Sequence, residues 1–409
     1  MTTRRTVLKG TLLAGAAAAP AVSGLGRVLA QDASPVASPV AAGPEPTVLA
    51  SGLMSPRYLA VGADGSVYVT EAGIGGDEEL MAPAEGSSEG TPEAMTGTPE
   101  SMTAFATRGP SGQVTKIAPD GTVSVVASGI TSYLIGGFEA TGPAGIAVAD
   151  GTIYVSVGGP GPATGTVPAS DHDNRVIAID EATGEITVLA DIGAYEIANN
   201  PDPNAVDSNL YGLAQGADGL LYVADAGGNT VYSVDPTTGE LAVVAVIPGI
   251  ELPEEMQQPG GNPARGGAQE LDPVPTGVAI GGNGDVFVSL LSGGPFPSGA
   301  AKVQSISGGT VSDVAGGLTM STDVAIGPDG QMYAVQLSLN FLGEVPEPGN
   351  VVRVFANGSL EVVVPDLMLP NGIAFDDAGN LYIAAGTVTP PGAGPAGVVL
   401  RVDGVASPA

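Results

Sequence analysis

"LPNGIAFDDAGNLYIAAG", residues 369–386, sets out an order of residue types: a polar lead, a glycine, a short apolar run, a tight turn, then an alternating run centred on Tyr382. The same order stands in "VPTGVAIGGNGDVFVSLLSG" (274–293) and "SNLYGLAQGADGLLYVADAG" (208–227). Aligned on the apolar run, three more copies join them: "SPRYLAVGADGSVYVTEAG" (55–73), "GPAGIAVADGTIYVSVGG" (142–159) and "MSTDVAIGPDGQMYAVQLS" (320–338). Both flanks of each turn alternate with period two. The turns are Asp64-Gly65, Asp150-Gly151, Asp218-Gly219, Asn283-Gly284, Asp329-Gly330 and the looser Ala378-Gly379-Asn380. Asp-Gly and Asn-Gly supply the positive φ that hairpin turns need. Each copy therefore predicts an A–B hairpin.

A second, C–D hairpin follows each of the first five copies: 112–130, 174–193, 229–249, 301–318 and 350–367. Four strands per unit in up-and-down order, repeated six times, predict an all-β fold, a six-bladed β-propeller. The last unit runs short after "GVVLRVDG" (397–404), while "TVLASGL" (47–53) stands alone before the first unit and resembles the outer strands. The N-terminal strand is thus expected to complete the last blade and close the ring, removing an edge that would invite aggregation. Antiparallel pairing puts every long connection on one face: 74–111, 159–173, 249–273, 338–349 and 387–396. Long loops on one rim of a rigid scaffold are the expected binding face.

Outside the repeats the chain divides by composition. Residues 1–30 carry "TRRTVLK" before a Gly/Ala-rich apolar stretch and read as a twin-arginine signal peptide cut after Ala30. The expected location is therefore extracellular or periplasmic. Residues 31–45 read as a flexible spacer and 46–409 as the propeller, with an acidic, Pro/Ser/Thr/Gly-rich insert at 76–110 read as disordered. The chain has no cysteine, so disulfides, thiol catalysis and cysteine metal sites are excluded. Losing Arg4, Arg5, Lys9 and Arg27 with the signal takes the formal charge from −31 to about −35. Such a surface argues against a nucleic-acid partner and serves solubility outside the cell, with an affinity for cations or basic ligands as the alternative. No membrane span is expected after signal removal, and the chain is expected to be a monomer.

Polar residues at the starts of the A strands and the ends of the B strands should meet near the centre of the long-loop face. The candidates for a ligand site there are Arg57, Glu71, Asn209, Tyr211, Asp225, Asp323, Gln336 and Asn371, with Thr276, Thr322 and Ser289 beside them. Converging oxygen donors suit Ca²⁺, and Glu71, Asp225 and Asn371 are the candidate ligands; alternatively, Arg57 pairs with Glu71 or Asp225. "PDPNAVDSN" (201–209) offers Asp202, Asn204, Asp207 and Asn209 as a second calcium loop or an Asx-turn. "GSSEG" (86–90) matches G-x-S-x-G but lies in the insert, not on a strand-turn-helix elbow. His172 is the only histidine and has no nucleophile assigned to it.

The block 191–234, "DIGAYEIANNPDPNAVDSNLYGLAQGADGLLYVADAGGNTVYSV", with "GPFPSGAAKVQSI" (294–306), resembles the ScyD/ScyE family of exported bacterial proteins. That resemblance spans roughly 46–403 and implies an NHL-like six-bladed propeller with no assigned reaction. "PNG" at 370–372 is similar to a motif of calcium-dependent propeller lactonases, from which Arg57, Ala144 and Gly158 depart. Two functions are therefore expected as alternatives. One is a non-enzymatic exported propeller binding a small molecule or a protein on the long-loop face. The other is a calcium-dependent, gluconolactonase-like hydrolase.

Overall fold

The computed structural model describes residues 45–83, 102–160, 170–204, 206–262, 265–343, 345–388 and 396–408. The signal peptide, most of the spacer, the core of the acidic insert and the "GSSEG" match lie outside these residues. The described residues are all-β and form seven sheets. Five have four strands, and a sixth, larger one grows from the first repeat. The seventh is a two-stranded ribbon of Ile250–Glu251 with Glu270–Leu271.

Each repeat builds one sheet. The second runs Pro143–Ala149, Thr152–Val157, Arg175–Asp180, Ile186–Asp191, all antiparallel neighbours. The turn glycines take φ from 73° to 85° at Gly65, Gly151, Gly219, Gly284, Gly330 and Gly379, so the Asp-Gly and Asn-Gly signals mark real hairpins. In the last sheet, Thr47–Leu53 runs antiparallel to Gly397–Val402, which pairs with Leu381–Ala385 and then Ile373–Phe375.

The innermost strands are Pro56–Val61, Pro143–Ala149, Leu210–Gln215, Pro275–Ile280, Ser321–Ile326 and Ile373–Phe375. Each packs on the next in chain order, and the last packs on the first. The repeat glycine explains how they approach so closely. A Cβ at Gly212 would meet Thr276 O and lie 2.9 Å from Val278 N; one at Gly277 would lie 2.5 Å from Asp323 Cα. Gly145 and Gly372 make the same approach to the third and first sheets. Glycine is required where two backbones abut. Between the sheets lies the apolar core, with Val69, Val155, Val223, Val288, Val335 and Ile383 fully buried at the centres of the second strands.

The insert departs from expectation. Glu78–Pro83 is a strand paired with the start of the sixteen-residue strand Met102–Ile117, which pairs onward with Val123–Ile135 and through it with Glu139–Thr141. The described ends of the 76–110 segment are therefore ordered strands, and only 84–101 lies outside the described residues. Their order has physical causes. Leu80 and Ala106 bury against Tyr133 and Ile135. Arg108 donates two hydrogen bonds to Glu78, each 2.7 Å. Gly76 and Gly109 let the two strands cross at contact distance.

Candidate functional site

Equivalent positions of the inner strands make two successive layers at the centre of the molecule. The first layer is Arg57, Ala144, Tyr211, Thr276, Thr322 and Asn371. Its side chains tie sheet to sheet: Thr276 Oγ1 donates to Ser321 O (3.0 Å), Thr322 Oγ1 to Asn371 O (2.7 Å) and Asn371 Nδ2 to Arg57 O (3.1 Å). Arg57 is 3% exposed. Its guanidinium donates to Ala140 O and, at 3.4 Å, to Asn371 Oδ1, and lies 5.8 Å from the Tyr211 ring centroid. The Tyr211 hydroxyl is buried without a hydrogen-bond partner, and burial pushes its pKa up.

The second layer is the repeat glycine. Four copies keep it, as Gly145, Gly212, Gly277 and Gly372; the other two replace it with Tyr58 and Asp323. These two side chains fill the space that the glycines leave. The Tyr58 hydroxyl lies 2.9 Å from both Thr276 O and Thr322 O, so the first sheet reaches the fourth and fifth across the centre. Asp323 Oδ1 accepts from its neighbour Val324 N (2.8 Å) and Oδ2 from Ile373 N of the last sheet (2.9 Å). Burial raises the Asp323 carboxyl to about 8 against those two bonds.

Beyond this layer, toward the A–B turns, opens a cavity of about 440 Å³ to which all six innermost strands contribute. Most of its lining side chains are apolar, with Leu59, Ile146, Leu213, Val278, Val324 and Ile373 at one level, while backbone polar groups, Tyr58, Gln215 and Asp323 also line it. Among the described residues Asp323 is the only charged one in the lining, and Tyr58 bounds the inner end. Along the strands the lining passes from buried residues at that level to half-buried ones at Val61, Gln215, Ile280, Ile326 and Phe375, so the cavity opens toward the turns. The sequence had directed attention to the opposite, long-loop side.

On the long-loop side, the B-strand ends are structural clips. Glu71 Oε2 accepts from Met54 N (2.6 Å), and its Oε1 from Gln113 Nε2 (2.8 Å) and Thr115 Oγ1 (2.5 Å). Asp225 accepts from Ser208 Oγ, Asn209 N and Gly228 N, and burial raises its pKa. Gln336 Oε1 accepts from Thr319 N while its Nε2 donates to Asn350. All three anchor the chain just before the innermost strand of their own sheet. Asn209 Oδ1 accepts from Gly159 N. The expected pairing of Arg57 with Glu71 or Asp225 is corrected: Arg57 bonds neutral oxygens, and both carboxylates are engaged by their own sheets' donors.

The same geometry tests the calcium ligands. Glu71 in the first sheet and Asp225 in the third each spend their oxygens on donors of their own sheet, and Asn371 turns to Arg57. Among the described residues no three acidic or histidine side chains converge. The donor set therefore does not fit a hard cation needing six to eight oxygens. In the 201–209 loop a protein cation takes the central place: Arg265 Nη1 sits 2.8 Å from Asp202 Oδ2, which also accepts from Asn229 Nδ2. That pair fastens the 250–271 ribbon to the third sheet. His172 lies near Thr131 (3.4 Å), and burial lowers its pKa. Its neighbour Asp173 is held by Tyr133 and Ser170.

No family model matches the chain, and no curated protein matches it. Several solved structures are similar to it at low identity. An oxidoreductase of the glucose dehydrogenase kind from Thermus thermophilus is 16% identical, with 88% of this chain and 99% of that one covered and a TM-score of 0.49. A protein described as a gluconolactonase is 12% identical over 90% and 95% of the two chains, TM-score 0.48. A calcium-binding regucalcin from Agrobacterium tumefaciens is 16% identical over 65% and 72%, TM-score 0.38. At such identities and TM-scores the chemistry of those proteins does not transfer, and what this chain can do rests on its own residues.

Proposed function

We propose that the six repeat sheets are the blades of a closed six-bladed β-propeller and that the chain is an exported binding protein whose small-molecule site is the central cavity. The circular order of inner-strand contacts and the pairing of Thr47–Leu53 with Gly397–Val402 support the closed ring. The twin-arginine signature at 4–9 supports export, and the 191–234 block supports a ScyD/ScyE-type protein. One observation carries the binding reading: a cavity of about 440 Å³ lined by all six inner strands, mostly with aliphatic side chains. That volume falls among ligand sites, which run from roughly 300 to 1,000 Å³. What the geometry offers is a container. Its one carboxylate, Asp323, accepts from two backbone N–H groups.

The experiment is a thermal-shift screen of small amphiphiles on wild type and Gln215→Trp, which puts an indole at the half-buried mouth. Ligands that raise the wild-type Tm and fail on the variant support the cavity. Ligands that stabilise both equally argue for another site. A calcium-dependent lactonase is the alternative; it predicts chelator-sensitive lactone hydrolysis and a wild-type Tm that rises with excess Ca²⁺.

A further inference from the structure

We infer that the central cavity takes a small organic cation with an apolar body, an alkyl- or cycloalkylammonium, with the Asp323 carboxylate as its counter-charge. This rests on the cavity being a binding site, and it adds what the site selects. The ring of aliphatic side chains at Leu59, Ile146, Leu213, Val278, Val324 and Ile373 rewards a hydrocarbon body by removing it from water. A single carboxylate near the inner end then decides the head group. An anion would meet the Asp323 carboxylate with no cation in the lining to offset it, and a hard divalent cation would find too few oxygen donors. An ammonium needs one carboxylate and a few acceptors. Asp323 is 5% exposed, and each of its oxygens bonds a single backbone N–H, leaving lone pairs for a ligand. The Thr276 and Thr322 carbonyl oxygens, each 2.9 Å from the Tyr58 hydroxyl, belong to the layer before it.

The surroundings do not cancel that charge. Tyr58 is the titratable group that faces Asp323 from the first sheet, and the Asp323 charge helps to raise its pKa, second to burial. The fourth sheet brings Gly277 against Asp323, and the sixth brings the Ile373 N–H. Arg57 is turned to Ala140 and Asn371. With burial raising it to about 8, Asp323 is largely protonated in the free protein at neutral pH. Binding a cation expels that proton, and affinity climbs with pH while the ammonium stays charged.

Calorimetric titration with cyclohexylammonium, cyclohexanol and cyclohexanecarboxylate at pH 6 and pH 9 tests this. The ammonium should bind at least ~10-fold tighter than the alcohol at pH 9 and lose up to ~100-fold toward pH 6, as the ionised fraction of an acid titrating near 8 falls. The carboxylate should not bind. Asp323→Asn should remove the preference for the ammonium; if that variant fails to fold, the wild-type pH dependence decides alone. Equal binding of alcohol and ammonium at pH 9, blocked by Gln215→Trp, would overturn the cation and leave the cavity standing. Binding of none of the three would overturn the cation too, and a screen without Gln215→Trp-sensitive ligands would then remove the cavity reading.

Discussion

A Cβ added at Gly372 would collide with the Arg57 carbonyl oxygen and stand 2.7 Å from Tyr58 Cα. Both are backbone atoms of the adjoining strand, which cannot swing aside as a flexible side chain would. Gly372→Ala should therefore destabilise the protein by about 1–3 kcal/mol or more, the usual cost of overpacking. The denaturation midpoint measures this; an unchanged midpoint would mean that the strands do not abut there. Glu71→Gln acts through a different cause. Three donors converge on the Glu71 carboxylate, and an amide would turn its own N–H₂ toward one of them. A loss of about 1–3 kcal/mol is expected from the stranded donor, the same with and without Ca²⁺. A calcium-dependent Tm in wild type that vanishes in the variant would make Glu71 a ligand instead. The residues of the central site were half legible. Arg57, Tyr211, Asp323 and Asn371 stand out as polar side chains at strand starts, and the structure does bring them to the centre. Tyr58 was passed over because a tyrosine before an apolar run looks like ordinary core. The signal was there in the alignment: Tyr58 and Asp323 are the two breaks in the repeat's glycine. It becomes a signal only once that position is known to face the centre. Glu71, Asp225 and Gln336 misled for a related reason, since sequence shows that a group is polar but not which donor it meets.

Strands and turns were the most legible level, because a two-residue periodicity broken by Asp-Gly leaves little choice of structure. The orphan strand shows this most sharply. Thr47–Leu53 buries Ala50 and Leu53 and pairs along Gly397–Val402. Deleting residues 46–54 should uncover that strand's edge and expose Leu59, Val67, Tyr382 and Val399, which share its core cluster. We expect a sharply lowered Tm and a tendency to aggregate through the open edge, measured by calorimetry and light scattering. A deletion that melts like wild type would mean that the last sheet is stable with three strands. The extension of the first sheet was illegible for a physical reason. Its strands Glu78–Pro83 and Met102–Ile117 are poor in large apolar residues, and their partners Tyr133 and Ile135 lie far along the chain. Composition reports what a segment could bury by itself. It does not report a surface that another hairpin provides.

For the molecule as a whole, the buried acids set how stability depends on pH. Burial raises Asp323 to about 8, and burial with the Asp225 charge raises Glu196 to about 8; Asp173 and Asp225 also shift upward. A carboxyl that holds its proton more tightly when folded gives its full stabilisation below its unfolded pKa, near 4. That contribution is lost as pH rises toward the folded value. His172 opposes this, because its lowered pKa favours the folded state as pH rises through the histidine range. It is one group against four. At the hairpin turns, Asp64, Asp120, Asp180 and Asp235 are shifted down by backbone and hydroxyl donors, so they weaken the fold only on acidification below their ordinary range. Net negative charge adds self-repulsion in the same direction as the buried acids. The Tm should therefore be highest near pH 5 and fall steadily to pH 8.5. Glu196→Gln separates the causes. Its amide oxygen can still accept from the Tyr232 hydroxyl, 3.0 Å away, yet it carries no titrating proton. The variant should match wild type near pH 5 and melt above it at pH 8.5. If its pH profile runs parallel to that of wild type, the fall belongs to surface charge and not to the buried carboxyls.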